Sequence, residues 1–142
     1  LKPWVLTPEG LAFLGKVDLF RTLSSGDKQE LAQELQVLTC QDGDQLWAKG
    51  DVVKDVFVVL KGEVHATVDG EYVKEFETAD FFGHDAVVHG RSNVDIFCTV
   101  NDTELLVLDA SIGSDFDRVV GPLWDSYIIS YEAQFAEQLE KV

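Results

Sequence analysis

Two periods of apolar residues alternate along this chain. Behind Thr7 and Pro8, a favourable helix start, Leu11, Leu14, Val17 and Phe20 recur at the spacing of one helix face. The run "SSGDKQELAQEL" predicts a second helix, in which Ser24 and Asp27 fit a capping box and Leu31, Ala32 and Leu35 share a face. After about residue 37 the period shortens. The runs "DQLWA", "DVFVVLKG", "EVHATV", "EYVKEF", "VDIFCTV" and "TELLVLD" are rich in strand formers and are punctuated by Gly43, Gly50, Gly62 and Gly70. In "EVHATV", Val64, Ala66 and Val68 alternate with polar residues, and Asp69-Gly70 supplies a two-residue hairpin turn. Many short strands with glycine turns predict a small antiparallel sandwich or barrel rather than alternating β and α units. From Pro122 the helical period returns. Trp124, Tyr127, Ile128, Tyr131, Phe135 and Leu139 form one stripe, with Asp125, Glu132, Gln138 and Glu140 elsewhere on the helix.

Length and charge narrow the function. A chain of 142 residues, 46% apolar, suits one compact domain over residues 1–142 with no linker or internal repeat. Against 11 Lys and Arg stand 26 Asp and Glu, a formal net charge of -15, so a polyanion approaches against a repulsive field. Nucleic acid and anionic membrane surfaces are poor partners for such a chain. Two cysteines, no membrane-length apolar run and no signal-peptide pattern in "LKPWVLTPEG" lead to the expectation of a reducing, cytoplasmic setting. A chain that begins at Leu1 and has no Met leads to the further expectation of a segment of a larger protein.

The stretch "FFGHDAVVHGRSNVDIF", residues 81 to 97, draws the chemistry. Gly83 followed by one apolar turn (Ala86, Val87, Val88) resembles an anion cradle, because free N–H groups at a helix start point outward together. The turn opens with His84 and Asp85, and an aspartate there competes for those donors. Elsewhere the signals are bland. His84, His89 and Cys98 match no metal-ligand spacing, and His65 lies on another strand. Cys98 reads as a small core residue. Ser111 and Ser114 have no partner His in view, and abundant carboxylates say little about acid–base work. No nucleophile–base pair, phosphate-binding Lys loop or metal set emerges, so no enzymatic activity and no cofactor are expected.

The words "DGDQLWAKGD", "VFVVLKGEV" and "DFFG" resemble the G-(D/E), Q-G-D, (F/Y)-(I/V)-(I/V)-x-x-G-x-V and F-G-E signatures of the cyclic-nucleotide-binding domain, over roughly residues 9 to 140. "FDRVVGPLWD" and "YEAQF" further resemble the second such domain in the regulatory subunit of cAMP-dependent protein kinase. The resemblance implies an α+β fold. It would be an antiparallel, jelly-roll-like β-roll of about eight strands with N-terminal helices, a short cassette helix and a C-terminal lid helix. It also implies a regulatory subunit that engages a kinase catalytic subunit.

In that family the quoted loop is the phosphate-binding cassette, F-G-E, an apolar turn, then P-R-A-A. Its Glu binds the ribose 2′-hydroxyl and its Arg pairs with the cyclic phosphate. Laid on this chain without a gap, the Glu falls on His84, the Pro on Ser92 and the Arg on Asn93. Losing a charge pair of the Arg–phosphate kind costs about 2–5 kcal/mol, and Asp85 and Asp95 worsen the balance for an anion. "SNV" at 92 to 94 resembles the second site of kinetoplastid regulatory subunits, which look like purine nucleoside sensors. Asn93 can donate through its amide NH2 and accept through its oxygen, and a neutral His84 can do one of each through its ring nitrogens, the mixture that ribose hydroxyls need. Arg91 sits two positions away, where a swing toward a phosphate is the less expected use of a loop arginine.

The expected ligand site is therefore Gly83, His84, Asp85, Ala86, Asn93 and Val94, capped by Tyr131, for a purine nucleoside rather than cAMP. Counting from the glycine-proline pair at 121–122 instead puts Gln134, beside Phe135, at the capping position. The alternative is a degenerate pocket without a small ligand, in a domain that serves as a structural or protein-interaction module.

Overall fold

The computed structural model describes residues 1–111 and 113–120. The expected lid helix, with Tyr131, lies outside the described residues.

The first helix, α1 (Pro8–Leu14), starts where its cap allows: Thr7 is extended and its hydroxyl accepts the Gly10 N–H at 3.0 Å. It ends sooner than the apolar spacing suggests. Beyond Leu14 the chain closes shorter turns, with the N–H groups of Val17 and Phe20 bonded to the carbonyls of Leu14 and Val17. Val17, Leu19 and Phe20 are nonetheless fully buried, so the tighter turns keep the same apolar face inward. The second helix, α2 (Ser25–Ala32), is capped by the Ser24 hydroxyl, which accepts the Asp27 N–H at 3.1 Å.

Nine strands follow or flank these helices among the described residues. They are β1 (Lys2–Pro3), β2 (Gln36–Cys40), β3 (Gln45–Trp47), β4 (Asp55–Lys61), β5 (Val64–Val68), β6 (Glu71–Phe76), β7 (Phe81–Phe82), β8 (Asp95–Cys98) and β9 (Thr103–Asp109). All pair antiparallel, in one sheet ordered β1-β2-β9-β4-β7 and a second ordered β3-β8-β5-β6. The β5–β6 hairpin turns through Asp69 (φ 52°) and Gly70 (φ 83°), both left-handed as a two-residue turn of this type requires.

Two apolar layers explain the run "DVFVVLK". Phe57 and Val59 point between the sheets, with Val64, Ala66, Phe76, Phe82, Ile96, Leu105 and Val107. Val56 and Val58 point the other way, against Leu14, Phe20, Leu31 and Leu35 of the helical segment. A strand covered on both faces loses its polar alternation, and β4 and its neighbour β9 show that loss. Residues 115–120 are also helical, and Phe116 and Val120 join the helix-side layer. Among the described residues no helix is long and apolar enough to cross a membrane.

Candidate functional site

The cassette hangs between β7 and β8. Phe82 drops into the roll, where its ring stacks on Phe57 (5.3 Å, 12°) and meets Phe76 at 5.0 Å and Trp47 at 5.8 Å. The chain then turns sharply at Gly83, φ 96°, and runs into α3 (His84–His89). Only glycine fits there. A Cβ on residue 83 would lie 2.9 Å from the Asp55 carbonyl oxygen and 3.4 Å from the Phe57 ring.

His84, the first residue of α3, is fully buried, with its ring 4.9 Å from that of Phe81. Burial, and secondarily the charge of Lys74, pushes its pKa down to about 4, so the imidazole is neutral at physiological pH. Asp85 is half-buried, and its carboxylate accepts the Ala86 N–H at 3.0 Å. The competition expected of an aspartate in this turn is thus a direct contact. Ala86 is itself buried, and Val87 closes the helical bond to the Gly83 carbonyl at 3.0 Å.

The far side of the loop is tied to the turn after β3. Trp47 Nε1 donates to Ser92 Oγ at 2.8 Å, and the same hydroxyl accepts the Val94 N–H (3.2 Å) and donates to the Val94 carbonyl (2.8 Å). Two backbone bonds join Ser92 to the same turn, Gly50 N–H to the Ser92 carbonyl at 2.7 Å and Ser92 N–H to the Asp51 carbonyl at 2.9 Å. Asp95 accepts the Lys49 N–H at 2.7 Å. Arg91 reaches the Gly50 carbonyl with Nη1 at 2.8 Å, on the exposed side of the same turn.

The structure therefore gathers Gly83, His84, Asp85 and Ala86 at one turn and joins Asn93 and Val94 to it through the loop. They differ in what they present. Gly83, His84, Ala86 and Val94 are buried, Asp85 is half-buried and Asn93 is exposed. The two amides that frame the loop, Ala86 and Val94, are engaged by Asp85 and Ser92. Trp47 and Ser92, which hold the loop, both fall inside quoted motif words, "DGDQLWAKGD" and "SNV", but nothing in those words pairs the two. Their one signal was a tryptophan in a glycine-bounded strand, since a buried indole N–H needs an acceptor.

Cys98, expected as core, is buried on β8, and neighbouring Cys40 is buried too. Burial first, then the Cys98 thiol, pushes Cys40 up to about 12, so it stays an inert thiol.

Comparisons with known proteins agree with this architecture. The cyclic nucleotide-binding domain model matches residues 37–117. The cAMP-dependent protein kinase regulatory subunit of Dictyostelium discoideum is 27% identical over 119 residues, covering 78% of this chain and 36% of its own length. The chain thus spans about a third of that relative. Among solved structures, the regulatory subunit of a cAMP-independent protein kinase A from Trypanosoma cruzi bound to guanosine superposes with a TM-score of 0.77 at 20% identity, over 92% of this chain and 47% of that one. The regulatory domain of Toxoplasma gondii PKA with cAMP superposes with a TM-score of 0.73 at 19% identity, over 87% and 48%. At such identities the superpositions carry the fold alone, while the matched sequence model, which takes in β4 to β9 and the whole cassette, carries the family. This chain belongs to the cyclic nucleotide-binding domain family.

Proposed function

We propose that this chain is a regulatory domain of the protein kinase A regulatory-subunit type whose cassette takes no cyclic nucleotide, and that it acts as a non-enzymatic protein-interaction module toward a kinase catalytic subunit. The observation that carries this reading is the state of the cassette's own donors. A cyclic phosphate needs free N–H groups and a cation; here Ala86 N–H is held by the Asp85 carboxylate and Val94 N–H by the Ser92 hydroxyl. At the arginine position stands Asn93, and at the glutamate position a buried neutral imidazole. An anion would have to displace a carboxylate that already occupies the cassette turn.

A second reading is a purine nucleoside ligand. It is favoured by the exposure of Asn93, whose amide can both donate and accept, and by the guanosine bound in the Trypanosoma cruzi relative. On that reading Gly83, His84, Asp85, Ala86 and Val94 line the ligand, and Tyr131 caps it.

A thermal-shift screen with cAMP, cGMP, adenosine, guanosine and inosine separates the two, because a ligand at a hundred times its dissociation constant adds about 2.7 kcal/mol. No shift with any of them is the expected result. A shift with a nucleoside, little changed by salt and reduced by Tyr131→Ala, would establish the second reading instead. A shift with cAMP or cGMP would defeat both.

A further inference from the structure

On the second sheet, β5 and β6 bring together side chains from either end of their hairpin. His65 lies directly opposite Glu75 across the β5–β6 ladder, and Glu63, just before β5, brings its carboxylate to the His65 ring. One donor atom from each of Glu63, His65 and Glu75 lies within 4.8 Å of the others. All three side chains are half-buried. We propose that Glu63, His65 and Glu75 form a binding site for a divalent transition-metal cation of the zinc class.

The ligand chemistry favours that class. One imidazole with two carboxylates suits zinc and its neighbours, whereas calcium and magnesium take oxygen donors almost exclusively. Zinc sits about 2.0–2.2 Å from such donors, so a pair of them on one ion is separated by roughly 3–4 Å. The three atoms need only small rotations to reach that spacing. His65 Nε2 is 2.6 Å from Glu63 Oε1, and this contact would open to admit the ion. Three protein ligands leave a coordination position for water or for a partner's side chain.

The neighbours hold the ligands as the surroundings of a metal site do. Thr99, on the adjoining β8 side, donates from Oγ1 to Glu63 Oε1 at 2.9 Å. Tyr72 meets the His65 ring edge-on at 5.3 Å and fixes its tilt. An isolated ion pair would account for Glu63 and His65 but leave Glu75 facing another carboxylate. A chain of net charge -15 also gathers cations at its surface.

The test is a titration of the metal-stripped full chain with Zn²⁺ by calorimetry, and with Co²⁺ by visible absorption. One equivalent of Zn²⁺ should bind, Co²⁺ should compete, and a large excess of Mg²⁺ should not. His65→Gln and Glu75→Gln should each weaken binding by at least about ten-fold, and Thr99→Val, which only removes the brace on Glu63, should weaken it by about ten-fold or less. In the unaltered chain, NMR resonances of the His65 ring should shift on adding Zn²⁺, a readout that needs no substitution to fold. Absence of Zn²⁺ binding would overturn the proposal. So would binding that leaves the His65 ring unmoved or survives the two glutamine substitutions together, since the ion would then lie elsewhere.

Discussion

Trp47 and Ser92 are 45 residues apart and meet in a buried hydrogen bond of 2.8 Å that fastens β3 to the end of the cassette. The Ser92 hydroxyl is the hub, because it also holds both backbone groups of Val94. Ser92→Ala should cost about 1–3 kcal/mol, since it leaves a buried indole N–H without its acceptor. Urea unfolding measures this loss. Trp47→Phe combined with Ser92→Ala should cost clearly less than the sum of the two, as expected for partners in one bond. Strict additivity would mean that the two do not act together.

Cyclic nucleotide binding should depend on Asp85 as well as on Asn93. Asn93→Arg restores a cation on an exposed loop position, yet leaves Ala86 N–H on the Asp85 carboxylate. Calorimetry should therefore find negligible cAMP binding by Asn93→Arg alone. Adding Asp85→Ala should improve affinity by at least about thirty-fold, the lower end of about 2–5 kcal/mol for a charged contact of this kind. Equal affinity of the single and double variants would remove Asp85 from the account.

His84 predicts an acid limb in stability. Its folded-state pKa of about 4 lies below the ordinary value of 6.5, so between those two values the unfolded chain binds a proton that the folded chain excludes. Stability therefore rises with pH across that window and falls as pH drops from about 6.5 toward 4. The full effect of such a shift is on the order of 3 kcal/mol. Denaturation midpoints of the chain and of His84→Gln should diverge in slope between these pH values, with the variant flatter. Parallel slopes would mean that His84 charges without penalty in the folded state.

Gly83→Ala should destabilise the domain by about 1–3 kcal/mol through its left-handed φ alone, and by more because the new methyl meets the Asp55 carbonyl. Thermal unfolding would show it. A neutral result would mean that β7 and β4 can separate at no cost.

Much of the fold was legible. Thr7 and Ser24 cap helices because their hydroxyls follow local rules, and the Asp69-Gly70 turn forms because two residues there must take positive φ. Local pattern also marked β4 and β9 as runs of strand formers, although it could not say that both faces are covered, one by helices and the other by the opposite sheet. It overextended α1, because Val17 and Phe20 recur at a spacing that short turns satisfy as well as a continuous helix. It passed over the "QVLTC" of β2, whose only fully buried residue is Cys40 at its end, and the two-residue β7, which is too short to show a period.

By itself, the sequence determined the helices-then-strands order of most of the described elements, the family and the replacements at His84 and Asn93, because each is a property of neighbouring residues or of motif words. What those replacements face was decided only by the tertiary structure. Neither the burial of His84 against Phe81 nor the grip of Trp47 on Ser92 follows from any spacing, since each joins surfaces whose meeting depends on how β7, β3 and the cassette pack. The same holds for Glu63, His65 and Glu75. Strand register, fixed by the buried alternation of Val64, Ala66, Val73 and Phe76 and by the bulge between Ala66 and Thr67, turns three unremarkable polar residues toward one point.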